Sequence, residues 1–230
     1  MKRNINYLAI AVFYIIAITC RFVAVKTDLL ANVGHEYIAI LLRGVGPALG
    51  ALVAIKLFSL QNPLSLKGIY STIVLPFVIF WLLPALSITT VYYLVYGKFP
   101  IVFAFTVLVY GLLEEIGWRG FLQQQLKGLP TFYATLIIAL LWFLWHLNIE
   151  MSTGNLIFLG IIFFGSWGIG KIYSKTSSLI AVAGVHSLNN FFVKGVHEKE
   201  LLVIFALLVI WIGFVIVYDR KFKAKAGMQS

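Results

Sequence analysis

The chain has little charge and almost no cysteine. Its single cysteine, Cys20, excludes an intramolecular disulfide framework and any metal site built on paired thiolates. Asp, Glu, Lys and Arg make up 11% of the 230 residues, against roughly a quarter in soluble domains. Repeats, low-complexity tracts, soluble linkers and an HExxH sequence are all missing. Hydrophobic side chains are abundant instead, 61% of the chain, and they are spread along its whole length. A soluble fold of this size keeps too much of its area in water to hide that surface. The fold class that follows is all-α and polytopic, a single integral-membrane domain over residues 1–230.

A membrane helix needs about 20 mostly apolar residues. Runs of that kind fall near 5–25, 37–60, 69–95, 101–126, 131–149, 154–173, 178–196 and 200–218. They predict about eight transmembrane helices in one bundle. The third run carries Pro76 and Pro84, so it is expected to be kinked, tilted or broken in two. Lys and Arg number 18 against eight Asp and Glu, and most lie between the apolar runs. With eight spans, twelve of the 18 fall on the side that holds both termini. The positive-inside rule therefore puts both termini in the cytoplasm, in a multi-pass plasma-membrane protein. The basic excess is a matter of topology, and it implies a lipid bilayer as partner, not nucleic acid. No small-residue cleavage pattern follows the first run, which is read as an uncleaved span. Gly46-Pro-Ala-Leu-Gly50 predicts a close helix contact.

Ionisable groups inside a membrane span are costly, so each one asks for a reason. They fall in three helices: Glu114, Glu115 and Arg119 in the fourth, His146 in the fifth, His186 with Asn190 in the seventh. Glu115 and Arg119 are four apart with the carboxylate first, the favourable order for a helical ion pair. Glu114 lies about 100° around the helix from Glu115 and faces a different neighbour. One acid is thus a structural partner of Arg119, and the other is a poorly solvated carboxyl suited to general-base chemistry. Trp142 and His146 share a face in the fifth span. His186 and Asn190, one turn apart, aim two neutral donors at one point, an arrangement that suits a developing oxyanion. The plainer readings are an ion-pair cluster, a core histidine and interhelical hydrogen bonds. Helix rise places Glu114, His186 and His146 roughly 18, 12 and 22 Å from the cytoplasmic ends of their spans. That agreement predicts a common cavity, opening toward the cytoplasm through the Arg119 end.

These residues resemble a known family. Glu114-Glu115-Ile-Gly-Trp-Arg119 is similar to the EExxxR motif of the CPBP intramembrane proteases, the CAAX-processing and bacteriocin-processing enzymes also called the Abi family. His186-Ser-Leu-Asn-Asn190 resembles its HxxxN motif. Trp142-Phe-Leu-Trp-His146 resembles its FxxxH motif, with Trp142 standing where the pattern has Phe. The resemblance covers a protease core at about residues 100–195. It implies an eight-helix bundle and an intramembrane endopeptidase that hydrolyses a peptide bond in a membrane-associated protein or peptide. Glu114 and His146 would activate the water, His186 and Asn190 would stabilise the oxyanion, and Glu115, Arg119 and Trp142 would support them. Arg119 is also offered to a substrate carboxylate. The short loops suit the bacterial branch, where substrates include bacteriocin leaders and peptide pheromones as well as CAAX tails. A cofactor stays open: Glu114, His146 and His186 could supply three ligands to one divalent metal such as zinc. Two other classes remain in play, a non-enzymatic membrane immunity or regulatory partner and an ion-coupled transporter.

Overall fold

The structure, a computed structural model, describes residues 5–30 and 33–191, with Val209, Ile210, Gly213 and Ile216 beyond them. Seven helices order the continuous part: α1 (Tyr7–Lys26), α2 (Glu36–Leu57), α3 (Val74–Tyr96), α4 (Ile101–Gln123), α5 (Thr131–Trp145), α6 (Thr153–Thr176) and α7 (Leu179–Phe191). No strand occurs among the described residues. The all-helical class expected from composition is therefore what forms.

Five helices, α1, α2, α3, α4 and α6, are long and apolar enough to cross a membrane. Their outer faces are apolar too, with Leu94, Phe105, Leu156 and Phe164 each more than half exposed. A chain with this surface is a multi-pass membrane protein. The count of eight spans is not established. The fifth predicted run yields only the 15 residues of α5, because the chain turns at Leu147 in a left-handed conformation (φ 57°). The predicted span at 200–218 lies outside the described residues, apart from four isolated positions.

The two prolines of α3 have a local effect. The helix starts at Val74 and passes through a π-helical turn, Val78–Leu82, just before Pro84. Proline has no N–H and crowds the carbonyl four residues earlier, so a locally widened turn keeps the helix unbroken. The widened turn faces α7: Trp81 Nε1 donates to the Ile180 carbonyl at 2.7 Å. Gly184 of α7 lies so close to the Phe80 carbonyl that no Cβ would fit.

Other contacts fix the helices that carry the polar residues. Gly46 and Gly50 of α2 press against the backbone of Ala17 and Phe13 in α1, the close approach their spacing predicts. Ser178 caps α7, accepting from Ala181 N at 3.2 Å while donating to the Leu66 carbonyl at 2.7 Å. That pair locks the start of α7 to the loop before α3. Ser187 Oγ donates to the Val107 carbonyl at 3.1 Å, which ties α7 to α4. Trp145 Nε1 donates to the Ala17 carbonyl at 3.0 Å, which ties α5 to α1. Phe13, Trp118, Trp142 and Trp145 form the aromatic centre of the main core.

Candidate active site

The site begins where α4 changes its winding. The α-helix ends at Glu115 and an eight-residue π-helical segment, Ile116–Gln123, follows with Arg119 in it. Such segments recur at functional positions because they re-aim side chains within a helix. Glu114, Glu115 and Arg119 are all buried, at 1%, 0% and 0% exposure.

The two acids have the separate surroundings that their spacing predicts. Glu115 Oε1 accepts from Arg119 Nη1 at 2.8 Å and is 2.6 Å from His186 Nδ1. One carboxylate oxygen therefore holds a helix neighbour and a residue of α7 together. Glu114 Oε2 accepts instead from Trp142 Nε1 of α5 at 2.9 Å. The same oxygen stands 4.0 Å from His186 Nε2.

Trp142 is the hub of the arrangement. Its ring centroid lies 5.1 Å from that of His186 and 6.1 Å from that of His146, and the Arg119 guanidinium stands 4.9 Å over it. The departure from the FxxxH pattern thus has a consequence: the indole N–H gives Glu114 a hydrogen bond that phenylalanine has no atom to make. The sequence-predicted residues Glu114, Glu115, Arg119, Trp142, His146 and His186 meet here, from three helices. Asn190 sits one turn beyond His186, half-buried, with its Nδ2 donor buried and without a partner.

Ring chemistry follows from the partners. His146 Nδ1 is 2.8 Å from the Trp142 carbonyl, which can only accept. Nδ1 therefore carries a proton, and in the neutral ring Nε2 is the basic atom. His186 Nδ1 faces the Glu115 carboxylate, so it too is the donor. Donation from His186 Nε2 as well requires the doubly protonated ring, and Glu115 and Glu114 are the carboxylates positioned to balance that charge.

Arg119 is fully buried, paired with Glu115. Asn148–Glu150, just after His146, are exposed. Among the described residues, no three His, Cys, Asp or Glu side chains are grouped to hold a metal ion. Glu114, His146 and His186, the possible ligand set, are not gathered in such a group. Trp142 touches all three, and its carbonyl and indole N–H occupy His146 Nδ1 and Glu114 Oε2.

Two more residues reach the site. Tyr110, one turn before Glu114, has its hydroxyl beside Glu114 and Arg21 of α1. The Arg21 guanidinium lies 4.4 Å over the Trp145 ring and donates to the Arg43 carbonyl at 3.2 Å. A signal for Tyr110 exists in the sequence, the i, i+4 spacing to Glu114. Arg21 had the weaker signal of a charge near the end of a span, where it reads as a topology marker.

With this geometry in view, the comparison with known families is informative. Residues 96–192 match the family described as type II CAAX prenyl endopeptidase, Rce1-like. This stretch is similar to the Rce1-like family. It is less than half of the chain, yet it contains all seven residues singled out by the three motifs. No curated protein matches the chain.

Proposed function

We propose that this protein cleaves a peptide bond of a membrane-anchored protein or peptide by water attack, without a covalent intermediate. The observation that carries the reading is the convergence of Glu114, His146 and His186, from α4, α5 and α7, on the single ring of Trp142. Glu114 takes the proton as a water oxygen bonds to the scissile carbonyl carbon, while the free Nε2 of His146 accepts a hydrogen bond from the same water. The resulting oxyanion accepts from Asn190 Nδ2 and from His186 Nε2–H. Protonated Glu114 then gives its proton to the amide nitrogen, the C–N bond breaks, and a carboxylic acid and an amine leave. Glu115 and Arg119 hold His186 in register. Preorganised donors of this kind supply much of an acyl-transfer rate, about 10²–10³ per donor.

The Rce1-like match supports a chain ending in a CAAX-type tail as the substrate, with bacteriocin-leader or pheromone peptides as the runner-up. The charge asymmetry of the loops supports cytoplasmic termini. The test is cleavage of prenylated and unprenylated C-terminal peptides by protein purified from membranes. Glu114→Gln and His146→Ala should each abolish cleavage with the fold intact. Wild-type rates in both variants would refute the mechanism. A dead variant that still fulfilled the protein's role in cells would favour a binding partner over an enzyme.

A further inference from the structure

A cavity of about 520 Å³ lies away from the Glu114 site, between the end of α4, the start of α5 and the last turns of α6. It sits at the end of the bundle where Ile69 N donates to the Thr176 carbonyl, the end that also carries Lys56 and Lys67. Lys127, Lys171 and Lys175 line it, all exposed, and among the described residues no carboxylate does. Three cations sharing one concavity repel each other unless an anion joins them.

The polar wall of the cavity is also incomplete. Gln123 Nε2 donates to the Gly170 carbonyl at 3.0 Å and to Ser174 Oγ at 3.1 Å, which fixes the amide and leaves Oε1 to accept. Gln123 Oε1 is buried without a partner, and so is Ser166 Oγ, on a residue only 2% exposed. Buried polar atoms of this kind ordinarily find partners. A fitting ligand offers anionic oxygens to the lysines and a hydroxyl proton to Gln123.

The neighbourhood adds the third requirement. Lys171 Nζ stands 3.8 Å over the ring of Trp167, which is 45% exposed, with Phe164 70% exposed one turn below. An exposed indole beneath a lysine, toward the basic end of a spanning helix, is the pattern of a membrane interface. The apolar strip below it suits an acyl chain. Basic pockets between helices on the cytoplasmic side are built for anionic headgroups.

We propose that this cavity binds an anionic phospholipid whose phosphate is esterified to a headgroup with free hydroxyls, of the phosphatidylglycerol type. Phosphate oxygens meet Lys127, Lys171 and Lys175, and a headgroup hydroxyl donates to Gln123 Oε1. Choline headgroups bring a cation and no hydroxyl, and are disfavoured on both counts.

The experiment is lipid retention by the full-length protein in native mass spectrometry, with phosphatidylglycerol, phosphatidic acid, phosphatidylcholine and soluble glycerol 1-phosphate as separate probes. It reads binding without hydrolysis, so it stands whether or not the chain is an endopeptidase. Phosphatidylglycerol should be retained over phosphatidylcholine. Lys171→Gln with Lys175→Gln should weaken it by about fivefold per lysine, the scale of one cation at a membrane surface. Gln123→Leu should erase its preference over phosphatidic acid, which lacks the hydroxyls. Equal retention by wild type and the double lysine variant would overturn the proposal. So would glycerol 1-phosphate binding as tightly as the lipid, since the ligand would then be a soluble anion.

Discussion

Replacing Glu115 by Gln separates the two adjacent acids by their effects. Arg119 is wholly buried, and Glu115 is the one carboxylate in ion-pair contact with it among the described residues. The guanidinium has little else, since its Nε and Nη2 are buried without hydrogen-bond partners. Glutamine keeps the shape of Glu115 but removes the charge, and leaves a cation in the core of the bundle. Breaking a buried pair from one side costs about 3–5 kcal/mol. Glu114→Gln is different in kind: the amide oxygen still accepts from Trp142 Nε1, and His186, 4.0 Å away, keeps its shorter contact with Glu115. The contrast is measurable by SDS-titrated unfolding in mixed micelles, followed by tryptophan fluorescence, beside a cleavage assay. Glu115→Gln should unfold far earlier than wild type, and adding Arg119→Met should restore most of the loss by removing the stranded charge. Glu114→Gln should unfold near wild type while losing activity. If Glu115→Gln matched wild-type stability, or if Glu114→Gln were equally destabilised, the division of labour between the two carboxylates would be wrong.

Three further outcomes follow from the same contacts. Trp142→Phe keeps an aromatic ring at the hub but deletes the donor to Glu114, a hydrogen bond to a charged group worth about 1.5–3 kcal/mol; kcat/KM should fall about tenfold or more, and an unchanged value would make the indole N–H irrelevant. Asn190→Ala removes one oxyanion donor and should lower kcat by about 10²–10³ with little change in KM, as steady-state kinetics would show. Gly184→Ala places a methyl group against the Phe80 carbonyl, so α3 and α7 must part. Melting temperature and activity should drop together, because His186 lies half a turn further along the same helix.

Much of the site was legible in the sequence because its elements are local. Glu115 and Arg119, Trp142 and His146, and His186 and Asn190 are each four apart, and one helical turn sets each relation without further information. The cost of charge in a membrane made Glu114 conspicuous for the same reason. What crosses between helices was hidden. Nothing in residues 114 and 142 announces that an indole N–H on α5 would reach a carboxylate on α4, since such contacts depend on helix rotation. Tyr110 and Arg21 were missed on that account, because a tyrosine in an apolar helix is ordinary until its hydroxyl is seen beside two charges.

Amino-acid order alone determined the class of protein, the approximate places of most helices, and which acid would pair with Arg119. Burial of a mostly apolar chain and the 3.6-residue turn are properties of local composition and spacing, so they survive without coordinates. Tertiary structure decided the rest: a fully buried Arg119 and a carboxylate shared between Arg119 and His186. It also decided how α3 deals with its prolines, through a π turn pressed against Gly184. These outcomes depend on how near two helices can approach and how each is rotated, which side chains distant in the sequence settle jointly.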